Sequence, residues 1–238
     1  MSFLLSSDIM PSHNQPRILI TAGPTHEPID AVRYIGNRSS GRMGVALAHE
    51  CVRRGLPTTL GLGPATVQPS DPRLRLLRFR TCDDLRELLA TEVPLADVLI
   101  MAAAVADYRP KVDPSFFGGK FRRKNENLSL ELEPTPDLLA EVSKSRRDNQ
   151  LFVGFALEPR AEMLEAAAAK LQRKRIDMVV ANPLETMDSD SIEATILYAP
   201  SLGTEPVYFS KRPKEEAAGW IVEQVMGALA KRRALEVD

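Results

Sequence analysis

Short apolar runs, each followed by a turn and then by a helical stripe, constrain this chain more than any other feature. Arg17-Ile18-Leu19-Ile20-Thr21, Val98-Leu99-Ile100-Met101-Ala102, Leu151-Phe152-Val153-Gly154-Phe155 and Met178-Val179-Val180-Ala181 are too short for helices. They lack polar alternation, as strands buried on both faces do. Thr58 to Leu62 and Leu74 to Phe79 read as two further strands. Between the strands lie helical patterns: Gly41 to Arg54, with Val45, Leu47, Ala48, Cys51 and Val52 as its stripe and Gly55 as its stop, then Asp83 to Thr91, then a helix starting near Pro136-Asp137. Arg160 to Lys174 follows, with the stripe Met163, Leu164, Ala167, Ala168 and Leu171. Alternating strand and helix implies a doubly wound, Rossmann-like α/β fold, a mostly parallel sheet with helices on both faces. Thr195 to Tyr198 and Val207 to Phe209 read as a small antiparallel extension, and Lys214 to Arg232 as a closing helix with basic residues in its last turn.

Two segments break this rhythm. Thr25 to Ser39 reads as a long loop, and Tyr108 to Asn127, rich in Pro, Gly, Lys and Arg, as a flap over about 108–127, followed by an exposed or edge strand at Leu128 to Leu132. Residues 1–15 read as a loose polar tail, and 16–238 as a single domain. Because 31 basic and 32 acidic residues leave a net charge of −1, nothing global draws the chain to nucleic acid or to an anionic membrane, and any anion recognition is local. Cys51 and Cys82 both sit in apolar helical contexts, which suits a reducing compartment and two small buried hydrophobes. No apolar run approaches the length of a spanning helix, so the expected location is cytoplasmic.

Local anion chemistry is concentrated in Asn37-Arg38-Ser39-Ser40-Gly41-Arg42-Met43-Gly44, between a strand and a helix. Ser39 or Ser40 is placed to cap the helix, Gly41 and Gly44 allow a ligand near the backbone, and the first-turn N–H groups make a phosphate cradle. The cost of two glycines there, about 1 kcal/mol each relative to alanine, favours a ligand over an ordinary cap. Ligands of such sheets bind beyond the carboxyl ends of the strands. Those ends read Ala22-Gly23-Pro24-Thr25, Ala103-Ala104-Val105-Ala106-Asp107, Ala156-Leu157-Glu158 and Asn182, so small residues leave room while Asp107, Glu158 and Asn182 share one crevice. Two basic clusters, Lys120-Phe121-Arg122-Arg123-Lys124 and Lys170 with Lys174 and Arg175, would meet a triphosphate there. The scattered His13, His26 and His49 suggest no metal site. No Gly-x-Ser-x-Gly elbow, Walker A sequence or G-x-G-x-x-G fingerprint occurs.

Taken together, Thr21-Ala22-Gly23-Pro24-Thr25-His26-Glu27-Pro28-Ile29-Asp30 through Ser39-Ser40-Gly41-Arg42-Met43-Gly44 closely resembles the signature of the phosphopantothenate cysteine ligase family of coenzyme A biosynthesis. Ala102 to Tyr108, Lys120 to Arg123, Pro136 to Leu139, Gly154 to Glu158, Lys170 with Lys174, and Ala181-Asn182 extend the likeness over roughly residues 17–228. His26, Arg122, Arg123, Pro159 and Ile192 depart from the usual Arg, Lys, Lys, Thr and Asn. The resemblance implies that a nucleoside triphosphate, CTP favoured and ATP the alternative, with Mg²⁺, activates 4′-phosphopantothenate as an acyl-nucleotide that the amine of cysteine then attacks.

The resemblance also assigns roles. Asn37 would hold the acyl group and Lys120 the leaving pyrophosphate, as catalytic residues. Gly23, Ser39, Ser40, Gly41, Met43, Gly44, Asp107, Lys120, Phe155, Lys170 and Lys174 would contact nucleotide, while Asn37, Ala103 and Ala104 contact substrate. It further implies a homodimer with the flap near its interface, a stand-alone ligase, and a separate decarboxylase as a partner. Two other classes share the fold. An NAD(P)-dependent reductase would want a Tyr-x-x-x-Lys pair, and Tyr108 to Lys111 is one residue short and lies in the flap. A non-catalytic nucleotide-binding domain would have no use for Lys120.

Overall fold

The apolar run that starts the domain becomes β1, Ile18–Ala22, buried along its whole length. In the computed structural model, residues 15–112, 119, 120, 122, 127–187 and 189–235 are described. The expected tail, apart from Gln15, and Phe121, Arg123 and Lys124 of the flap lie outside them. On one side β1 pairs in parallel with β4, Thr58–Leu62, which pairs with β5, Arg75–Arg78. On the other it pairs with β6, Val98–Met101, then β9, Leu151–Glu158, then β10, Met178–Pro183, all parallel. The antiparallel β11, Ser191–Tyr198, and β12, Val207–Pro213, complete an eight-stranded sheet in the order β12-β11-β10-β9-β6-β1-β4-β5. From β1 the chain winds one way and from β6 the other, so a crevice opens between their carboxyl ends.

Strand period 2 sends alternate side chains into two cores. Ile18, Ile20 and Ala22 meet α1, Arg42–Arg53, and α5, Lys214–Ala234. Leu19, Leu99 and Val179 meet α2, Cys82–Glu92, α3, Leu138–Lys144, and α4, Met163–Lys174. Thr81 caps α2 through a reciprocal capping box with Asp84. Beneath α5, the buried Asp177 receives Arg146, Arg232 and the Phe152 N–H, linking three segments at the amino edge of the sheet.

Three expectations are corrected. The Thr25–Ser39 loop contains a hairpin, β2, His26–Pro28, with β3, Tyr34–Gly36. Strands of three residues are too short to show a period, and here the buried residue of β2 is the polar Glu27 rather than an apolar one. The expected flap begins as β7, Tyr108–Pro110, and the expected strand at Leu128 to Leu132 forms later as β8, Leu132–Pro134, paired with it. Leu128 and Leu132 are exposed, so no core face selects the earlier register. Helix α4 starts at Met163, three residues after the expected Arg160. Among the described residues no helix is long and apolar enough to cross a membrane. Both cysteines are buried and free, with burial pushing the Cys51 thiol up to about 12 and Cys82 up to about 11.

Candidate active site

Glycine 41 starts α1 at φ 75, the left-handed region, and no side chain caps the helix. The expected serine cap is therefore absent: Ser40 Oγ lies 3.5 Å from the Arg42 N–H, at the outer limit of a hydrogen bond. The first-turn N–H groups are thus left without intrahelical acceptors at the rim of a cleft of about 880 Å³. Gly44 has a different reason from the one its sequence position suggests. A Cβ there would collide with Ala22, so glycine is demanded by α1 packing onto β1, not only by approach of a ligand.

The cleft gathers most of the expected residues from segments far apart in sequence. Asn37, Ser39, Ser40, Gly41, Met43 and Gly44 line it beside Ala103, Ala104 and Asp107, and Phe155, Lys170 and Lys174 complete the opposite wall. Glu158 and Asn182, the other polar strand ends, also line it. Gly23 does not. At φ +80 it packs beside Gly63 and Ala65, and its carbonyl accepts the Ala104 N–H, so it shapes the wall. Lys120 is exposed and lies outside the lining, next to Gly119, whose carbonyl accepts the Ala31 N–H.

Each wall is held by polar contacts. The Asn37 side-chain amide donates to the Val105 carbonyl at 2.9 Å, leaving its second N–H and its oxygen for other partners. On α4, Lys170 donates to the Phe155 carbonyl, and burial lowers its pKa to about 8, with the Lys174 charge adding to the effect. Lys174 meets Asp137 at 2.9 Å. Burial would raise Asp137, but hydrogen bonds from Lys174 and the Ala140 N–H outweigh it, and the carboxyl sits below its ordinary value.

At the end of β10, Thr186 gives its hydroxyl proton to the Pro183 carbonyl at 2.8 Å and accepts the Asn182 amide at 2.7 Å. That hydroxyl cannot donate twice, so the Asn182 nitrogen faces Thr186. Its carbonyl oxygen has no partner among the described residues and is available to a donor in the cleft.

Sequence reasoning missed several residues of the lining. Lys214 is buried and lines the same wall, and Arg173 and Thr135 join it, while Arg42, inside the Asn37–Gly44 run but given no role by the sequence, pairs with Asp190. Lys214 reads in sequence as an ordinary helix start after Pro213, and Thr135 as a turn residue between prolines. Neither position carries a local signal.

The arrangement offers oriented N–H groups and cations on one side, a second cationic wall on α4, and small residues between. It is suited to holding a polyanion and a second, smaller group together. Comparison with known proteins identifies the family of the chain. The profile of the family described as DNA/pantothenate metabolism flavoprotein C-terminal domain matches residues 13–229. A protein named cysteine/cysteine sulfinic acid decarboxylase, from an unknown prokaryotic organism, is 42% identical over 172 residues, covering 72% of this chain and 47% of that protein. The coenzyme A biosynthesis bifunctional protein CoaBC of Mycobacterium tuberculosis (strain ATCC 25618 / H37Rv) is 35% identical over 226 residues, covering 90% of this chain and 53% of that protein. The chain thus spans about half the length of these relatives. A crystal structure of the C-terminal domain of a CoaBC protein superposes with a TM-score of 0.74 at 32% identity, covering 94% of this chain and 97% of that one. The chain belongs to the DNA/pantothenate metabolism flavoprotein C-terminal domain family.

Proposed function

We propose that this chain is a nucleotide-dependent carbon–nitrogen ligase of coenzyme A biosynthesis, joining 4′-phosphopantothenate to cysteine through an acyl-nucleotide. The observation that carries the reading is the meeting of Asn37–Gly44, Ala103–Asp107 and the Phe155–Lys170–Lys174 wall in one cleft of a member of this family. Activation brings two anions together, and a helix N-terminus facing a lysine wall lowers that cost. In this reading Asn37 hydrogen-bonds the acyl group and Ala103 and Ala104 leave room for the pantothenate arm. Asp107 and Asn182 contact the nucleotide. Lys120, exposed outside the cleft lining, acts on the pyrophosphate only when brought to it.

CTP is the favoured nucleotide, with ATP the alternative. A Mg²⁺ ion carried on the triphosphate, keeping most of its ligands as water and phosphate oxygens, needs no all-protein cage. That ion would neutralise charge on the triphosphate. Val32, Tyr34, Tyr108, Leu128 and Leu132 are exposed apolar side chains on or beside the two small hairpins, which supports a homodimer through this region. A separate decarboxylase would consume the product.

The test is pyrophosphate release by the purified chain with 4′-phosphopantothenate, cysteine and either CTP or ATP. Substrate-dependent release with amide formation is expected. No release with either nucleotide, or carbon dioxide evolved from cysteine sulfinic acid instead, overturns the reading.

A further inference from the structure

Thr25 and Thr135 hold the two sides of one residue, Ala106, behind the cleft, through the peptide units before and after it. Thr25, fully buried just after β1, accepts the Ala106 N–H on its hydroxyl oxygen at 3.0 Å. Thr135, just after β8, donates its hydroxyl to the Ala106 carbonyl at 2.5 Å, and its own N–H goes to the Asp107 carbonyl at 2.9 Å. The segment before Ala106 is zipped to the end of β1 as well: Ala104 N–H meets the Gly23 carbonyl at 2.9 Å, and Thr25 N–H meets the Ala104 carbonyl at 3.2 Å. Between these anchors lies Val105, whose carbonyl accepts the side-chain amide of the exposed Asn37. An exposed asparagine samples several rotamers unless a fixed partner selects one. Its partner here is fixed from both sides.

From this geometry we infer that Thr25 and Thr135 are positioning residues for Asn37, which they orient through the Val105 carbonyl. The inference rests on the reading of Asn37 as the residue that holds the acyl group. Valine at either position preserves shape but removes the hydroxyl. At Thr25 it leaves the Ala106 N–H, in the same peptide unit as the Val105 carbonyl, without its partner. At Thr135 it does the same to the Ala106 carbonyl in the next peptide unit, so either change loosens the Val105–Asp107 segment. Asn37 then loses its set direction. Misplacement of a substrate-holding group by about 1 Å costs on the order of 100-fold in rate.

The experiment uses the full chain carrying Thr25→Val, Thr25→Ser, Thr135→Val, Asn37→Ala, and Thr25→Val with Asn37→Ala. It measures steady-state pyrophosphate release with 4′-phosphopantothenate, cysteine and nucleotide, thermal melting, and the NMR signal of the Asn37 side-chain amide. Thr25→Val and Thr135→Val are expected to lower kcat about 10- to 100-fold, with KM for the nucleotide little changed, and to shift the Asn37 signal. Thr25→Ser is expected to restore both. In the Asn37→Ala background, Thr25→Val should add less than about twofold, because the group it positions is gone. Wild-type rates in both valine variants, or losses that multiply fully with that of Asn37→Ala, overturn the inference and leave the threonines a purely structural role. If Thr25→Val does not fold, Thr135→Val decides by the same comparisons. If the wild-type chain releases no pyrophosphate, the functional reading falls. An Asn37 signal unmoved in both valine variants overturns the positioning claim by itself.

Discussion

Gly44 of α1 lies so close to Ala22 of β1 that a Cβ on the glycine would overlap the Cβ of the alanine. The contact sets how deeply the helix N-terminus sits against the sheet end, and so where the first-turn N–H groups meet the cleft. Gly44→Ala is expected to destabilise the fold by about 1–3 kcal/mol, as over-packing does. Chemical denaturation reads it, and Ala22→Gly should recover part of the loss in the double variant. A neutral Gly44→Ala would show that the helix can slide away without cost.

Asn37→Asp keeps shape but exchanges the donating amide for a carboxylate. The variant loses the hydrogen bond to the Val105 carbonyl and sets a negative charge against that oxygen and the acyl group. Turnover should fall by roughly 100-fold, with little change in melting temperature, because the side chain is exposed. Wild-type turnover would remove Asn37 from the chemistry.

Lys120→Gln tests the remaining catalytic assignment. Lys120 is exposed and outside the cleft lining, so its replacement should leave stability within about 0.5 kcal/mol of wild type. Acyl-nucleotide formation, followed as pyrophosphate release, should drop by on the order of 100-fold, the scale of losing one preorganised contact to developing charge. Unchanged release would strip the residue of its role.

Lys170 predicts a pH dependence whose sign follows from burial. Its folded value, about 8, lies below the ordinary lysine value, so the ammonium persists below that pH and is lost as pH rises through it. Nucleotide KM should therefore rise above about pH 8. Stability moves the other way: between the folded and unfolded values the unfolded chain binds more protons, so this group's contribution grows more favourable as pH rises. Lys170→Arg, charged throughout, should flatten the KM profile. An equal rise in KM with the arginine would assign the pH effect to another group.

Asp177 is the most heavily committed buried carboxylate at the other edge of the sheet. It is paired with Arg146 and Arg232 and bonded to the Phe152 N–H. Removing it leaves two guanidinium groups facing a void, so Asp177→Ala should cost about 3–5 kcal/mol in denaturant titration. KM for substrates of the surviving folded fraction should not change, because Asp177 does not line the cleft.

Legibility in the sequence followed burial. Strand β4 occupies the segment expected for it, Thr58–Leu62, and β1, β6, β9 and β10 fall where continuous apolar runs stand, because strands buried on both faces leave no other pattern. The shifted β8 and the three-residue delay of α4 lie where side chains are exposed and local contacts decide, and the β2–β3 hairpin hides a buried polar Glu27 in strands too short to show a period. In the site, residues at strand ends were legible from one rule about parallel sheets. Lys214 and Thr135 were not, since their neighbours in the cleft come from distant segments.

By itself, then, the sequence determined the alternation of strand and helix, the run from Asn37 to Gly44, and the small residues that end the strands. Period and residue size are local properties, and local properties survive in one dimension. Only the tertiary structure decided that Gly44 answers to Ala22, that Gly41 and no serine begins α1, and that a carbonyl 68 residues away directs Asn37. Those facts arise from contacts between chain segments that meet only after the sheet has closed around β1.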